Sequence, residues 1–242
     1  MKLLKIGETK MNFENIRNTL VILTYNEIEG IRQLYDKIPF DKIDEYFVVD
    51  GGSTDGTLEF FTNKKIPIVL QEKRGRGEAF RIGIEKAKGE NLVFFSPDGN
   101  EDPMDIIKLF MRLEAGYDMV IASRFLPTSR NEEDDLIFPW RAWVNRIFTF
   151  IANTIWKGTI TDTINGFRGV KKISFERMNP TTHSFTIEYQ LSIRAMKLKM
   201  KVAEVPTCEG DRIGGVSKAK SIPVGIMFVK FLIKELFTGL RF

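Results

Sequence analysis

Residues 91–103 read NLVFFSPDGNEDP. Leu92, Val93, Phe94 and Phe95 form an uninterrupted apolar run of the kind a parallel sheet buries on both faces. The run empties into a turn whose first carboxylate is Asp98, and Asn100, Glu101 and Asp102 follow before Pro103. In open α/β sheets, ligands collect outside the carboxyl ends of the strands. Carboxylate and amide oxygens delivered to that edge point to a divalent cation, one that holds a phosphate. A plain Asp/Gly turn satisfies the same residues, and only the surrounding chain separates the two.

Working outward, the same kind of apolar run recurs at residues 19–24 (TLVILT), 46–50 (YFVVD), 66–71 and 118–122 (DMVIA). Helical spacing fills the intervals at 27–36, 57–63, 76–88 and 103–114. Thr54 or Asp55 is placed to cap the second of these helices, and Gly89 to stop the third. Strand and helix therefore alternate, which predicts an α/β fold: a mostly parallel central sheet with helices on both faces. The pattern changes after residue 126. Residues 127–135 are polar, acidic and aperiodic, and read as a mobile loop. Residues 138–157 read as one long helix with a polar stripe (Arg141, Asn145, Thr149, Asn153) and an apolar one (Trp140, Trp143, Val144, Ile147, Ile151, Ile155). A loop (161–169, TDTINGFRG), a helix (186–196), a strand (202–206) and a basic, glycine-rich loop (209–220) follow. The last helix, 222–240, is mostly apolar, with a narrow polar stripe of Lys230, Lys234 and Thr238. The expected organisation is a lead-in (1–18), one domain (19–220) and a C-terminal amphipathic helix (221–242).

The 242 residues carry 36 basic and 32 acidic side chains, a net charge of +4. No Lys/Arg block with interleaved aromatics argues for nucleic acid, while an anionic substrate or membrane surface suits the balance. A single cysteine, Cys208, precludes an intramolecular disulfide and points to a reducing cytoplasm. No signal-peptide pattern opens the sequence, and no uncharged apolar run of about 18 residues is present. His183 is the only histidine, so neither a zinc cluster nor a Ser/His/Asp triad assembles readily. The RGRGEAF segment departs from the GxGxxG spacing of a dinucleotide turn.

Taken singly these motifs are weak, but their order is specific: LVILTYNE (20–27), VVDGGSTDGT (48–57), SPDGNEDP (96–103), Ser123-Arg124-Phe125, TDTINGFR (161–168) and EVPTCEGDRIGGVSK (204–218). The chain resembles the family-2 glycosyltransferases of the GT-A fold, and within them the dolichyl- or polyprenyl-phosphate sugar synthases. The resemblance implies an inverting transfer of a sugar from a GDP- or UDP-linked donor to a polyprenyl phosphate. It implies a donor site of Thr24, Tyr25, Glu27, Asp50, Arg76, Gly77 and Asp98, with Asp50 accepting hydrogen bonds from base or ribose. It implies Mg²⁺ or Mn²⁺ held by Asp98, Asn100 and Ser96. Two positions depart from the family pattern: Leu23 stands where a proline is usual, and Ser96 where the first carboxylate of the Asp-x-Asp metal motif belongs.

On the acceptor side, an alcohol needs a general base. A phosphate monoester, with its second pKa near about 6, already offers an anionic oxygen. Such a site should carry arginines, whose guanidinium groups pair bidentately with phosphate. Arg124, Arg141, Asn145, Asp162, Asn165, Arg212 and Lys218 are the acceptor residues so implied, with residues 165–168 closing over the sugar. Asp98, Arg124 and Arg212 are the expected catalytic set. The apolar stripes of 138–157 and 222–240 suit peripheral contact with the cytoplasmic face of a membrane, or packing on the sheet or in a homodimer. Lys230, Lys234 and Glu235 make spanning costly. Two other readings stay open: transfer to a hydroxyl of a surface polysaccharide or lipid-linked glycan, and a non-catalytic nucleotide-sugar-binding protein, which the loss of a carboxylate at Ser96 would favour.

Overall fold

The structure is a computed structural model that describes residues 16–131, 140–210, 212–213, 221–240 and 242. Its strands are β1 (Asn18–Thr24), β2 (Glu45–Asp50), β3 (Ile68–Leu70), β4 (Asn91–Phe95), β5 (Met119–Ser123), β6 (Arg168–Lys171) and β7 (Val202–Pro206). They form a seven-stranded sheet in the order β3-β2-β1-β4-β6-β5-β7. All pairings are parallel except those of β6, which runs antiparallel to β4 and β5. The helices are α1 (Ile28–Leu34), α2 (Thr57–Asn63), α3 (Arg76–Lys86), α4 (Asp105–Glu114), α5 (Trp140–Trp156), α6 (Lys172–Met178), α7 (Ile187–Lys197) and α8 (Ser221–Phe237).

Successive side chains of a strand point to opposite faces, and the core divides accordingly. Leu20, Ile22, Val48, Val93, Phe95 and Val120 pack against α1, α2 and α4. Val21, Leu23, Val49, Leu92, Phe94 and Ile121 pack against α3, α6 and α7, where the Phe80 and Phe94 rings stack at 4.0 Å. Helices on both faces explain why these strands are apolar throughout. A third cluster joins α5, α7 and α8 through Phe148, Ala152, Tyr189, Ile193, Phe228 and Phe231.

The alternating first half is as the apolar runs predict, with shifted ends. The third helix stops at Lys86, with Ala87 already extended, and the next N–H groups leave the helix: Lys88 donates to Glu45 Oε2 (2.8 Å) and Gly89 to Thr19 Oγ1 (3.1 Å). The fourth begins at Asp105. The N-cap of α2 is Gly56 rather than Thr54 or Asp55, and Asp55 supports the first turn from outside: its Oδ1 accepts the N–H and hydroxyl of Thr57. Two elements were not foreseen, β6 and α6. The stretch RGVK has one apolar side chain in four residues, and Arg168 is fully buried there. The expected mobile loop is tied down where it is described: Arg130 N–H donates to Thr207 O (3.1 Å) and Glu209 N–H to Arg130 O (2.9 Å). Residues 132–135 lie outside the described residues.

Helix α5 is apolar on both faces, with Phe148 and Ala152 turned inward. Two residues of its polar stripe also face the protein: the buried Thr149 pairs with Thr163 (2.7 Å), and Asn153 Nδ2 donates to Ile160 O (2.7 Å). Trp143, Ile147, Phe150 and Ile155 are exposed. Helix α8 docks through Phe228, Phe231 and Glu235 and exposes Ile226, Val229, Ile233, Leu236 and Phe237, with Lys230 and Lys234 beside them. Glu235, expected among the charges opposing the membrane, is wholly buried between Arg194, Lys197 and Gln190.

Candidate functional site

The carboxyl ends of β1, β2 and β4 and the start of α3 enclose a cleft of about 870 Å³. Thr24, Tyr25 and Glu27 enter it from the end of β1, Arg76 from the first residue of α3, and Ser96 and Asp98 from the turn after β4. Arg212 reaches across from the segment after β7. Its Nη2–H donates to Glu27 Oε1 (3.1 Å), and Nη1 lies 3.4 Å from Asp98 Oδ2. Gly210 N–H and Ile213 N–H hold that segment on the turn through Asn100 O and Asp98 O (3.1 and 2.8 Å). The described part of the DRIGGVSK motif is thus fastened to the SPDGN motif.

Asp50 does not play the expected role. It has no exposed surface. Its Oδ1 accepts Gly52 N–H and Ser53 N–H (2.8 and 2.7 Å), and its Oδ2 accepts the hydroxyls of Thr24 and Ser53 (2.7 and 2.6 Å). Its acceptor sites are committed to the turn below the cleft. Gly77 also turns away: its N–H donates to His183 O (3.2 Å), and a side chain there would collide with Thr182 O. The neighbouring Arg74, missed in the sequence, lies over the Tyr25 ring at 4.5 Å and lines the cleft with Gln71, His183 and Phe185.

Ser96 Oγ accepts an N–H from Arg76 Nη1 (3.3 Å), while its backbone N–H donates to the buried Glu101 (2.6 Å). Burial, reinforced by Asp98, raises the Glu101 carboxyl well above the usual carboxylate range. Burial opposes the charge of Arg76, but Glu188 and Glu101 outweigh it and raise its pKa. Among the described residues, no three of His, Cys, Asp and Glu meet as a metal centre. Mg²⁺-type cations manage with one or two carboxylates when substrate phosphates complete the shell. Asp98 fits such a cation arriving with a diphosphate. Ser96 Oγ already accepts from Arg76, and Asn100 meets the arginine segment through its backbone oxygen.

Of the expected acceptor residues, Arg212 lines the cleft, while Arg124 and Asp162 lie outside its lining, beyond the end of β5 and in the loop before β6. Arg124 and Asp162 form a bidentate pair (2.7 and 3.0 Å), with Glu209 at 3.5 Å on the other side of the guanidinium. Burial would raise the Asp162 carboxyl, but Arg124 outweighs it and holds the group below the usual range. Asp162 also accepts the N–H groups of Ile164 and Asn165, which leaves it poorly placed to receive a proton. Glu204, overlooked in the sequence, fixes this loop by accepting from Thr161 and Asp162 N–H (2.9 and 3.0 Å).

Asn165 is buried with both amide ends engaged, donating to Ala122 O and accepting Phe167 N–H. Arg168 does not close over a sugar. It lies in the interior, donating to Glu188 O and Ser192 Oγ, and burial lowers its pKa to about 10. Asn145 is half-buried on α5. Only the backbone of Arg141 is described, and Lys218 lies outside the described residues.

A model of the family described as glycosyl transferase family 2 matches residues 19–178. The chain is similar to the glycosyltransferase AglJ of Haloferax volcanii, 30% identical over 211 residues covering 86% of this chain and 68% of that one. It is 28% identical to the polyprenol monophosphomannose synthase of Mycolicibacterium smegmatis, over 88% and 84% of the two chains. Among solved structures, glucosyl-3-phosphoglycerate synthase from Mycobacterium tuberculosis, in complex with Mn²⁺, UDP and phosphoglyceric acid, superimposes with a TM-score of 0.71. That match is 18% identical and covers 91% of this chain and 77% of the other. The seven-stranded architecture is therefore GT-A-like.

Proposed function

Because the chain belongs to glycosyl transferase family 2 and is a glycosyltransferase, we propose that it transfers a sugar, with inversion, from a nucleotide sugar to a polyprenyl phosphate at a membrane surface. One observation carries this reading: α5 joins the acceptor-side pair to an apolar outer face. Its inner face holds the Asp162 loop through Thr149 and Thr163, and its Arg146 lies over Phe125 at 4.9 Å, next to Arg124. Its outer face offers Trp143, Ile147 and Phe150. A phosphate on a lipid that stays in the bilayer has a short way to Arg124 and Arg146 at the end of β5.

In this reading the phosphate monoester oxygen attacks the anomeric carbon. The bond from that carbon to the diphosphate breaks, and the nucleoside diphosphate leaves. Asp162 stays paired with Arg124, since a phosphate nucleophile brings its own negative charge and requires no base. Arg76 and Arg212 stabilise the charge that develops on the departing diphosphate. A divalent cation bound with the donor, held by Asp98, would add Lewis-acid neutralisation at the same place. Uridine- and guanosine-linked sugars, tried in turn with polyprenyl phosphate, test the reading through acceptor-dependent release of nucleoside diphosphate.

The site faces the cytoplasm in this reading, and the protein attaches peripherally. Among the described residues no helix is long and apolar enough to cross a membrane. Phe150 and Phe237 are 71% and 87% exposed, and Lys230 and Lys234 suit anionic headgroups. Removing both phenyl rings (Phe150→Ser with Phe237→Ser) is expected to lower co-flotation with anionic vesicles about tenfold or more, since each ring buries roughly 1.5–3 kcal/mol of apolar surface. A protein that ignores vesicles and runs as a monodisperse dimer would place these faces in a subunit interface instead.

A further inference from the structure

Arg76 is held in the cleft from three sides. Its Nε–H pairs with the buried Glu188, and its Nη1–H donates to Ser96 Oγ. Its Nη2 fills the space where a Cβ on Gly166 would lie. The RGRG turn and the NGFR loop, far apart in sequence, are thus fitted to each other around one guanidinium. A guanidinium has five N–H donors, and those not given to Glu188 and Ser96 have no partner among the described residues, in a group that lines the cleft with Asp98 and Arg212.

A carboxylate at position 96 would add a second counter-charge to that of Glu188 and take up the remaining N–H groups. A serine accepts one of them and leaves the others for a ligand. We propose that Arg76, positioned by Glu188, Ser96 and Gly166, is a built-in anchor for the donor's diphosphate, so that a nucleoside diphosphate binds this protein without a divalent cation. The inference rests on the donor reading above and adds to it how the diphosphate is recognised. Ser96 becomes the residue that keeps the anchor open rather than a weakened metal ligand.

Calorimetric titration of the full chain with UDP and GDP, in EDTA and in excess Mg²⁺, tests this. For the nucleotide that binds, the affinity in EDTA is expected to persist within about tenfold of that in Mg²⁺. Arg76→Ala should weaken binding in EDTA about 10- to 100-fold, the worth of hydrogen bonds from a charged donor. Ser96→Asp, a small change at the cleft wall, should weaken binding about tenfold in EDTA and regain it in Mg²⁺. Gly166→Ala, where its circular dichroism is unchanged, should behave as Arg76→Ala does. Wild-type binding that is strong in Mg²⁺ and lost in EDTA would overturn the anchor and leave the donor reading standing. Failure of both nucleotides to bind under either condition would remove the donor reading and the anchor with it.

Discussion

Exchanging Asp98 for asparagine is expected to cut sugar transfer by about 10³-fold while the thermal unfolding curve stays close to wild type. The chemical loss follows from the position of Asp98. It is the carboxylate at the end of β4 that faces the cleft, beside Arg76 and Arg212, where a leaving diphosphate has to be stabilised. Removing one preorganised electrostatic group from such a site costs about 10²–10³ in turnover, and loss of a ligand to the donor's cation adds to it. The small stability change follows from exposure. Arg212 and Asp98 are partly open to solvent, 24% and 19%, at 3.4 Å, so the pair is worth at most about 1 kcal/mol to the fold. Undiminished turnover by Asp98→Asn would remove this residue from the mechanism.

The second large effect concerns the attachment of α8. Glu235 is buried against α7, accepting from Arg194 Nε and Nη2 (3.1 and 2.9 Å), Lys197 Nζ (2.8 Å) and Gln190 Nε2 (2.9 Å). Glu235→Ala leaves two buried cations without their counter-charge, a loss of roughly 3–5 kcal/mol. Denaturant midpoints compared with wild type read it directly, and a change below about 1 kcal/mol would show that α8 is held by Phe228 and Phe231 alone.

The same residue gives a pH dependence. Burial raises the Glu235 carboxyl, but Lys197 and Arg194 outweigh it, so the folded-state pKa lies below the usual 4.5. A depressed carboxylate contributes stability that is present above its unfolded pKa and is lost as pH falls through its folded value. The wild type should therefore lose stability on acidification below about pH 4.5, and Glu235→Ala should lose less over the same interval.

The strands and first four helices were legible because burial on both faces writes itself as runs such as LVILT and NLVFF. Strand β6 was not, because its place between β4 and β5 is set by tertiary pairing rather than by its own composition, and its largest side chain is a buried arginine. The cleft was legible as motif order, which brought Tyr25, Glu27, Arg76, Asp98 and Arg212 to one sheet edge. Individual roles were less so. Asp50 and Gly77 carry suitable chemistry, yet Asp50 is used up by the turn it supports and Gly77 by the loop that covers it. Arg74 and Glu188 went unnoticed because their partners, Tyr25 and Arg76, stand 49 and 112 residues away. The orientation of α5 was also hidden, since two stripes on a helix do not say which one faces inward.

The most direct test of the central claim is the product itself. Purified protein, a labelled nucleotide sugar and polyprenyl phosphate should yield one lipid-extractable product per nucleoside diphosphate released, with the label freed by mild acid as a sugar phosphodiester requires. Label that appears instead in an acid-stable glycoside, or diphosphate release that ignores the lipid phosphate, would contradict it.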